Sequence, residues 1–414
     1  MRAKQIPDMY ASVRSYIKKS WPLAVKKKDV DKEFPLPYDY IPPCIEGDLI
    51  NLYYWDTYFT NLGLYSDGLY DYALNNIENL KYCLRKFGCV PNMCRLNGAD
   101  FASQPPLLFM MVADYFKYTD DLVFLNDSYA ALCKEYHFWQ TKRIAPNGLS
   151  KYGTNQQNKD VMIKSVDGMK QRTGLDASAL LEKQKIEIFY NRVAEGESGE
   201  DHTPRFKGRA NEVNPIDLNC YLYMFEKKMA SFAVDLGRRE DSILWIQRMT
   251  DRKSKILEFC YDKETGIFFD YNYVTNEKSY VICSACYLPY VAELTSDRHA
   301  LDSINNQLLL RHGVASCSNI PTDGLTCQWG YPNVWAPHNF MAYNANKKVN
   351  NKFAVEIAKR YLNAIATEFV KSGKLYEKYD GLVGGPATLN EYGTPEMLGW
   401  TAGVYNYLFD ELYG

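Results

Sequence analysis

With 414 residues the chain exceeds the commonest single-domain size, yet no Pro/Gly/Ser-rich linker, low-complexity tract or break in composition divides it, so one large toroid or barrel competes well with two domains. Its formal net charge of −2, from 48 basic and 50 acidic residues, excludes the basic field that a nucleic-acid or acidic-membrane partner needs. Aromatic content is the anomaly: 34 tyrosines and 7 tryptophans offer apolar faces with polar edges, which suit stacking on sugar rings and equally suit a large helical core.

The N-terminus, Met1-Arg2-Ala3-Lys4-Gln5-Ile6-Pro7, lacks the apolar run that export needs, so a cytoplasmic protein is expected unless an export signal has been removed. No stretch is long and apolar enough to span a bilayer. Lys26-Lys27-Lys28 is followed at once by Asp29, Asp31 and Glu33, which reads as a solvated mixed-charge loop. Leu69, Ala73, Ile77, Leu80 and Leu84 recur at helical spacing, and Gly88 follows as a stop. Leu218, Leu222, Phe225, Met229, Phe232 and Leu236 repeat the pattern up to Gly237, and Ile246, Met249, Leu257 and Cys260 mark the next helix. The alternation in Gly266-Ile267-Phe268-Phe269-Asp270-Tyr271-Asn272-Tyr273 predicts a small hairpin between helices. Val355, Ala358, Leu362, Ile365 and Phe369 predict a helix ended by Gly373, and Trp400 to Leu412 closes the chain with another. Apolar strand runs do not alternate with these helices, which excludes a parallel α/β sheet.

Eleven cysteines, several inside apolar periodic runs (Cys83, Cys133, Cys220, Cys260), read as small buried hydrophobes in a reducing compartment. The lone Cys283-x-x-Cys286 has neither a thioredoxin-like context nor a second ligand pair, and the five histidines show no metal-ligand spacing. No metal or cofactor is expected. Helical hairpins stacked in sequence can close into a ring, with polar-aromatic loops forming a mouth at one end. Two carboxylates stand out in such loops. Asp201 lies in Glu197-Ser198-Gly199-Glu200-Asp201-His202-Thr203-Pro204-Arg205-Phe206, and Glu377 in Tyr376-Glu377-Lys378-Tyr379-Asp380. A pair of carboxylates among aromatic rings is what glycosidic cleavage requires. Two plainer readings stand beside this one: a solvated loop carboxylate for Asp201, and an ion pair with Lys374 or Lys378 at a helix end for Glu377.

Separated segments resemble the trehalases, glycoside hydrolase family 37, and more distantly family 63. Tyr53-Tyr54-Trp55-Asp56-Thr57-Tyr58 resembles the core of the first trehalase signature, and Ser103-Gln104-Pro105-Pro106 the family's S-Q-P-P. Glu197 to Phe206 resembles E-S-G-W-D-x-S-x-R-W, Gln328-Trp329-Gly330-Tyr331-Pro332-Asn333-Val334-Trp335-Ala336-Pro337 the second signature, and Glu377-Lys378-Tyr379-Asp380 the E-K-Y-D segment. Glu391-Tyr392 through Gly399-Trp400-Thr401-Ala402-Gly403-Val404 resembles E-Y-x-x-Q-x-G-F-G-W-T-N-G-V. The matches run in family order from about position 45 to the end.

The resemblance implies an all-α (α/α)6 toroid of the six-hairpin glycosidase type, with long loops and a small β-hairpin. It implies one catalytic domain over residues 1–414, with residues 1–40 a peripheral N-terminal segment. It also implies an inverting hydrolase of an α-glycosidic bond in a disaccharide or small α-glucoside. Asp201 would be the general acid, its pKa raised by burial, and Glu377 the base. The substrate-binding residues would be Trp55, Asp56, Gln104, Arg205, Gln328, Trp329, Trp335, Glu391 and Trp400, with Arg205 orienting a carboxylate. The partner is a small carbohydrate, without nucleic acid or membrane.

The departures bear on specificity. Asp48, Ala102 and Gly330 stand where the family carries Arg, Arg and Asp, Val334 replaces a Gly, and no P-R-P-E-S segment lies between Tyr152 and Lys183. Losing bidentate donors weakens the grip on trehalose, so trehalose is in doubt as substrate. A family-63-like glucosidase or mannosidase acting on another small glycoside, and a non-catalytic sugar-binding toroid, are the alternatives.

Overall fold

The computed structural model describes residues 6–28, 33–170, 174–322, 324–388 and 392–414. Six helices form an inner ring: α2 (Tyr54–Ser66), α4 (Leu108–Thr119), α8 (Ile216–Asp235), the short α10 (Leu288–Val291), α12 (Ala336–Val349) and α14 (Gly399–Tyr413). Each packs against the next, and α14 closes the circle against α2. The outer ring holds α3 (Tyr70–Phe87), α5 (Leu122–Thr141), α9 (Arg239–Phe259), α11 (Arg298–Leu308) and α13 (Asn351–Ser372). This is the (α/α)6 toroid.

Sequence separates the two rings. The inner helices are buried on nearly every side through most of their length, polar residues such as Asp56, Asn219 and Asn339 included. The outer ones carry one apolar stripe, and two of them end at glycines: Gly88 and Gly373 adopt left-handed φ at the C-termini of α3 and α13. The α2–α14 crossing is close because both helices present glycine. A Cβ on Gly403 would stand 1.8 Å from the Phe59 carbonyl oxygen, so any larger residue there forces the helices apart.

The first forty residues, read from sequence as peripheral, contain α1 (Asp8–Ala24), which takes the sixth place in the outer ring. It lies against α13, and the Tyr10 hydroxyl donates to Asn363 Oδ1 at 2.6 Å. Trp21 is fully buried, and its Nε1 donates to Asp67 at 2.8 Å. The reason lies in the spacing: Tyr10, Val13, Ile17, Trp21 and Ala24 form one buried stripe, and they join the main core.

The stripe expected on α9 also needs correction. Ile246 and Leu257 are exposed, whereas Ser242, Trp245, Arg252 and Ile256 face inward. An arginine can occupy that face because its head is paired: Arg252 Nε donates to Glu226 at 2.7 Å. The expected hairpin is present slightly downstream, as β2 (Tyr271–Asn272) and β3 (Glu277–Lys278), with β1 (Val213–Asn214) on the other side of β2.

Two further helices, α6 (Lys159–Asp167) and α7 (Glu182–Glu197), lead into the Asp201 loop and surround a small core of their own, built from Met162, Val166, Ala177 and Phe189. Two more short strand pairs complete the ladders. β4 (Leu309–Leu310) pairs with β5 (Gly313–Val314). β6 (Asn333–Trp335) pairs antiparallel with β7 (Lys378–Asp380), with Trp335 opposite Lys378.

Candidate active site

The described residues among those singled out in the sequence collect at one end of the toroid, where the N-termini of the inner helices converge. Trp55 and Asp56 open α2, Trp335 immediately precedes α12, and Trp400 opens α14. Asp201 and Glu377 sit on the loops that lead from outer to inner helices.

Glu377 directly precedes β7 and is 2 % exposed. Its Oε2 accepts from Lys378 Nζ at 2.5 Å, its Oε1 from the Tyr392 hydroxyl at 2.8 Å, and its carbonyl oxygen from Trp400 Nε1 at 3.0 Å. Burial raises its pKa, Lys378 and Tyr392 oppose that rise, and the charge of Asp201 adds to it. Asp56, nearly as buried, is pushed up to about 8 by burial, by Glu377 and by Asp201, so it holds its proton at neutral pH. Asp201 acts electrostatically on Tyr53 and Tyr392 as well. Three carboxyls from three distant stretches therefore share one field.

Asp201 is only partly buried. It lines a cavity of about 300 Å³ together with Arg95, Ala102, Ser165, Met169 and Phe189. The turn leading to it is built on Gly199, with φ +82°. A Cβ there would meet the Trp55 indole at 2.6 Å, so the residue must be glycine both for its backbone and for the ring beneath it.

The four tryptophans form one interlocked group. Trp329 and Trp335 stack face to face at 3.7 Å with 6° between planes. Trp400 stands edge-on to both, at 6.1 and 5.8 Å. Trp55 lies 5.7 Å from Trp329 and 6.1 Å from Trp400. All four are at least nine-tenths buried. They pack on one another first, and what they present to the cleft is the surface of a rigid block rather than four free platforms.

Arg205 does orient carboxylates, as its planar fork suggested. It is fully buried and bridges Asp270 (Nε to Oδ2 and Nη2 to Oδ1, both 2.8 Å), Asp217 (Nη2 to Oδ1 2.8 Å, Nη1 to Oδ2 3.2 Å) and, at 3.5 Å, Glu200. All five N–H groups point at carboxylates, so none remains for a sugar hydroxyl, and its place among substrate-binding residues is corrected to that of a buried keystone. Gln104 accepts from the Trp55 backbone N–H at 3.0 Å, which holds the start of α2. Gln328 is fully buried and its side chain bonds the Tyr392 hydroxyl. Glu391 lies outside the described residues.

Several participants escaped the sequence reading. Tyr392 and Lys378 hold the Glu377 carboxylate. The sequence suggests Lys378 only as a helix-end ion pair, but it meets Glu377 at the start of a strand, while Lys374 bonds Glu396. Glu200 accepts from Arg205 and faces His338 Nε2 at 3.1 Å. Burial raises its pKa, and Arg205 and His338 outweigh that, leaving it lowered. Glu197 accepts from Ser103 N–H and Gly153 N–H at 2.8 Å each and from Arg143 at 2.6 and 2.8 Å, so it pins the Asp201 loop to two others. The only sequence signal for these was their place inside the quoted motifs.

A helical ring with buried carboxyls and a tryptophan block at one mouth is the build of a carbohydrate-active toroid. Comparison with known proteins narrows that class. The sequence model of the trehalase family matches residues 2–413, and the chain belongs to that family; it is a glycosyl hydrolase. It is 28 % identical to a periplasmic trehalase of Salmonella agona, over 97 % of this chain and 74 % of that protein. The solved neutral trehalase Nth1 from Saccharomyces cerevisiae superposes with a TM-score of 0.76 at 25 % identity, over 98 % of this chain and 80 % of that one. A GH63 mannosylglycerate hydrolase from Thermus thermophilus shares the fold, with a TM-score of 0.64 at 15 % identity over 95 % of this chain and 99 % of that one. Among the described residues no helix is long and apolar enough to cross a membrane.

Proposed function

We propose that this chain, as one catalytic domain over residues 1–414, hydrolyses the α-glycosidic bond of a small α-glucoside with inversion, Asp201 acting as general acid and Glu377 as general base. What supports the reading is one arrangement above the rest: two carboxyls, 176 positions apart by their numbers, 377 less 201, belong to one tryptophan-walled mouth, Glu377 held by Lys378, Tyr392 and Trp400 and Asp201 bordering the cavity on a turn packed on Trp55. Asp201, beside the open cavity, protonates the leaving oxygen. Glu377 removes a proton from a water on the opposite face of the sugar, and that water attacks the anomeric carbon as the bond to the leaving oxygen breaks. An inverting pair leaves roughly 6.5–9.5 Å between carboxyls for that water.

Asp56, protonated at neutral pH, donates to a sugar hydroxyl. Trp55, Trp329, Trp335 and Trp400 give the pocket its wall, and Gln104 and Gln328 act through Trp55 and Tyr392. A small α-glucoside other than trehalose is favoured, since Ala102 leaves the acid-side cavity without one arginine that trehalases resembling this chain carry, with Arg95 and Arg192 remaining in its lining. Eleven unpaired cysteines, ten of them buried, suit a reducing compartment, and a cytoplasmic site of action goes with them.

The test is a panel of α-linked disaccharides, trehalose included, with aryl α-glucosides and reducing-sugar detection, repeated on Asp201→Asn and Glu377→Gln. Each substitution is expected to lower kcat by roughly 10²–10⁴-fold. Full activity in either variant removes that residue from its role. Proton NMR of the first-formed anomer should show β-glucose; α-glucose would contradict inversion.

A further inference from the structure

Lys378 is the least expected residue in the site. Successive residues on a strand point to opposite faces, yet its ammonium returns to the carboxylate of the preceding residue, 2.5 Å from Glu377 Oε2. Lysine normally lets its head reach water, but this one is fully buried. A buried ammonium is costly unless it is paired and well packed. Here it lies 4.8 Å from the centre of the Trp335 ring and 4.6 Å from that of Tyr392, between two aromatic faces that each attract a cation. The β6–β7 ladder sets Trp335 opposite Lys378, so the pairing that positions the base also builds half of the cage. Tyr392 supplies the other half, and its hydroxyl holds Oε1. Each carboxylate oxygen keeps a second lone pair, so a water can still be bound and deprotonated.

The groups that face Glu377 come from five places. Asp201 lies on the acid loop, Asp56 at the start of α2, Cys44 on the loop after α1, Tyr392 on the segment before α14, and Lys378 on β7. Asp201 and Asp56 are acids, Cys44 and Tyr392 are neutral donors when protonated, and Lys378 is the cation among them. Removing it would leave a desolvated carboxylate facing other acids.

We propose that Lys378 is a positioning residue for the base: its ammonium, caged by Trp335 and Tyr392, fixes Glu377 Oε2 and keeps that carboxylate charged and aimed at the attacking water. This rests on the reading of Glu377 as base. The cage also explains why the charge comes from lysine, since a compact ammonium fits between two rings and touches one oxygen, leaving the other for Tyr392.

The experiment is the pH profile of kcat/KM on the substrate that the wild type turns over best, for Lys378→Met, Lys378→Gln and Tyr392→Phe, with thermal melting of each. A group that lowers the proton affinity of a base shifts its titration upward when removed. The acid limb should move up by about one pH unit or more in the lysine variants, a tenfold loss below the limb, carried by kcat with KM little changed. Tyr392→Phe keeps the ring and loses one hydrogen bond, so a smaller upward move is expected. A limb that stays in place in a folded lysine variant, or in Tyr392→Phe where neither lysine variant folds, overturns the proposal, as does a loss confined to KM. Glu377→Gln separates the two ideas: full activity there sinks the base assignment itself, whereas an inactive Glu377→Gln with an unmoved limb in the Lys378 variants sinks only the role of Lys378.

Discussion

The two corners of the site are built differently. At the Glu377 corner the carboxylate is nearly sealed, with both oxygens held and a cation caged beside it. At the Asp201 corner the carboxyl is partly exposed on a turn that borders a cavity, and the rigid elements lie beneath it, in the Arg205 cluster and the Glu197–Arg143 clamp. The contrast follows from the chemistry proposed for each. A base that must stay ionised in a dry place needs a fixed counter-charge. An acid that must follow a departing oxygen, and then take up a fresh proton, needs access to solvent and a loop held from below.

The largest effect expected from that contrast is in the leaving-group dependence of the two variants. α-Glucosyl fluoride departs without a proton, so it makes the acid dispensable and leaves the base essential. Asp201→Asn should recover to within about tenfold of wild type on the fluoride, while Glu377→Gln stays down by roughly 10²–10⁴-fold on every substrate. Equal losses in both variants on the fluoride would erase the assigned asymmetry.

Stability should break on the acid side first. Arg205→Met leaves Asp217, Asp270 and Glu200 buried without their shared cation, and breaking a buried pair from one side costs about 3–5 kcal/mol. Urea unfolding would register the loss, and a change under about 1 kcal/mol would show that the cluster is not a keystone. On the base side Trp335→Phe keeps a ring opposite Lys378 but forfeits much of the stack on Trp329. A loss of about 1–2 kcal/mol is expected, read in the same unfolding experiment; an unchanged midpoint would mean that the stack adds nothing to stability.

What could be read from the sequence follows the same division between local and through-space information. The stops at Gly88 and Gly373 are local signals, and both helices end there. The motif residues converge because each lies at the start of an inner helix or on the segment that leads into one, a placement that spacing alone suggested. Helix α1 was not legible, since Lys18, Lys19 and an internal Pro22 mask its buried stripe, and nothing in a linear pattern says that the N-terminus completes a ring begun by the C-terminus. The stripe of α9 was misread because counting apolar residues favours Ile246 and Leu257, while the inward face carries an arginine paired with Glu226 of another helix. Arg205 could be given a carboxylate partner from its chemistry, but Asp270 lies 65 residues away along the chain. Tyr392 stands beside Glu391 in a quoted motif, and only the fold reveals that its hydroxyl reaches Glu377.

Asp56, between the two corners, gives the finest test of their shared field, read as a slope with pH rather than as a single loss. Its pKa rises from 3.8 unfolded to about 8 folded, so the folded state binds the proton more tightly. Stability from this group is complete below about pH 4 and is lost progressively as pH rises to about 8, with no further change above that. Glu135, also near 8, and Asp114, near 7, are pushed the same way by burial, so the wild type should lose stability across this whole range. Asn at position 56 does not titrate. The decline between pH 5 and 8 should therefore be shallower in Asp56→Asn, by at most about 1.4 kcal/mol per pH unit, and the two proteins should differ most at pH 8, where wild-type Asp56 is half ionised against Glu377. Urea unfolding at unit steps of pH would measure both slopes. Parallel slopes would mean that Asp56 is not protonated in the folded protein, and that the field at this mouth is weaker than three mutually repelling carboxyls require.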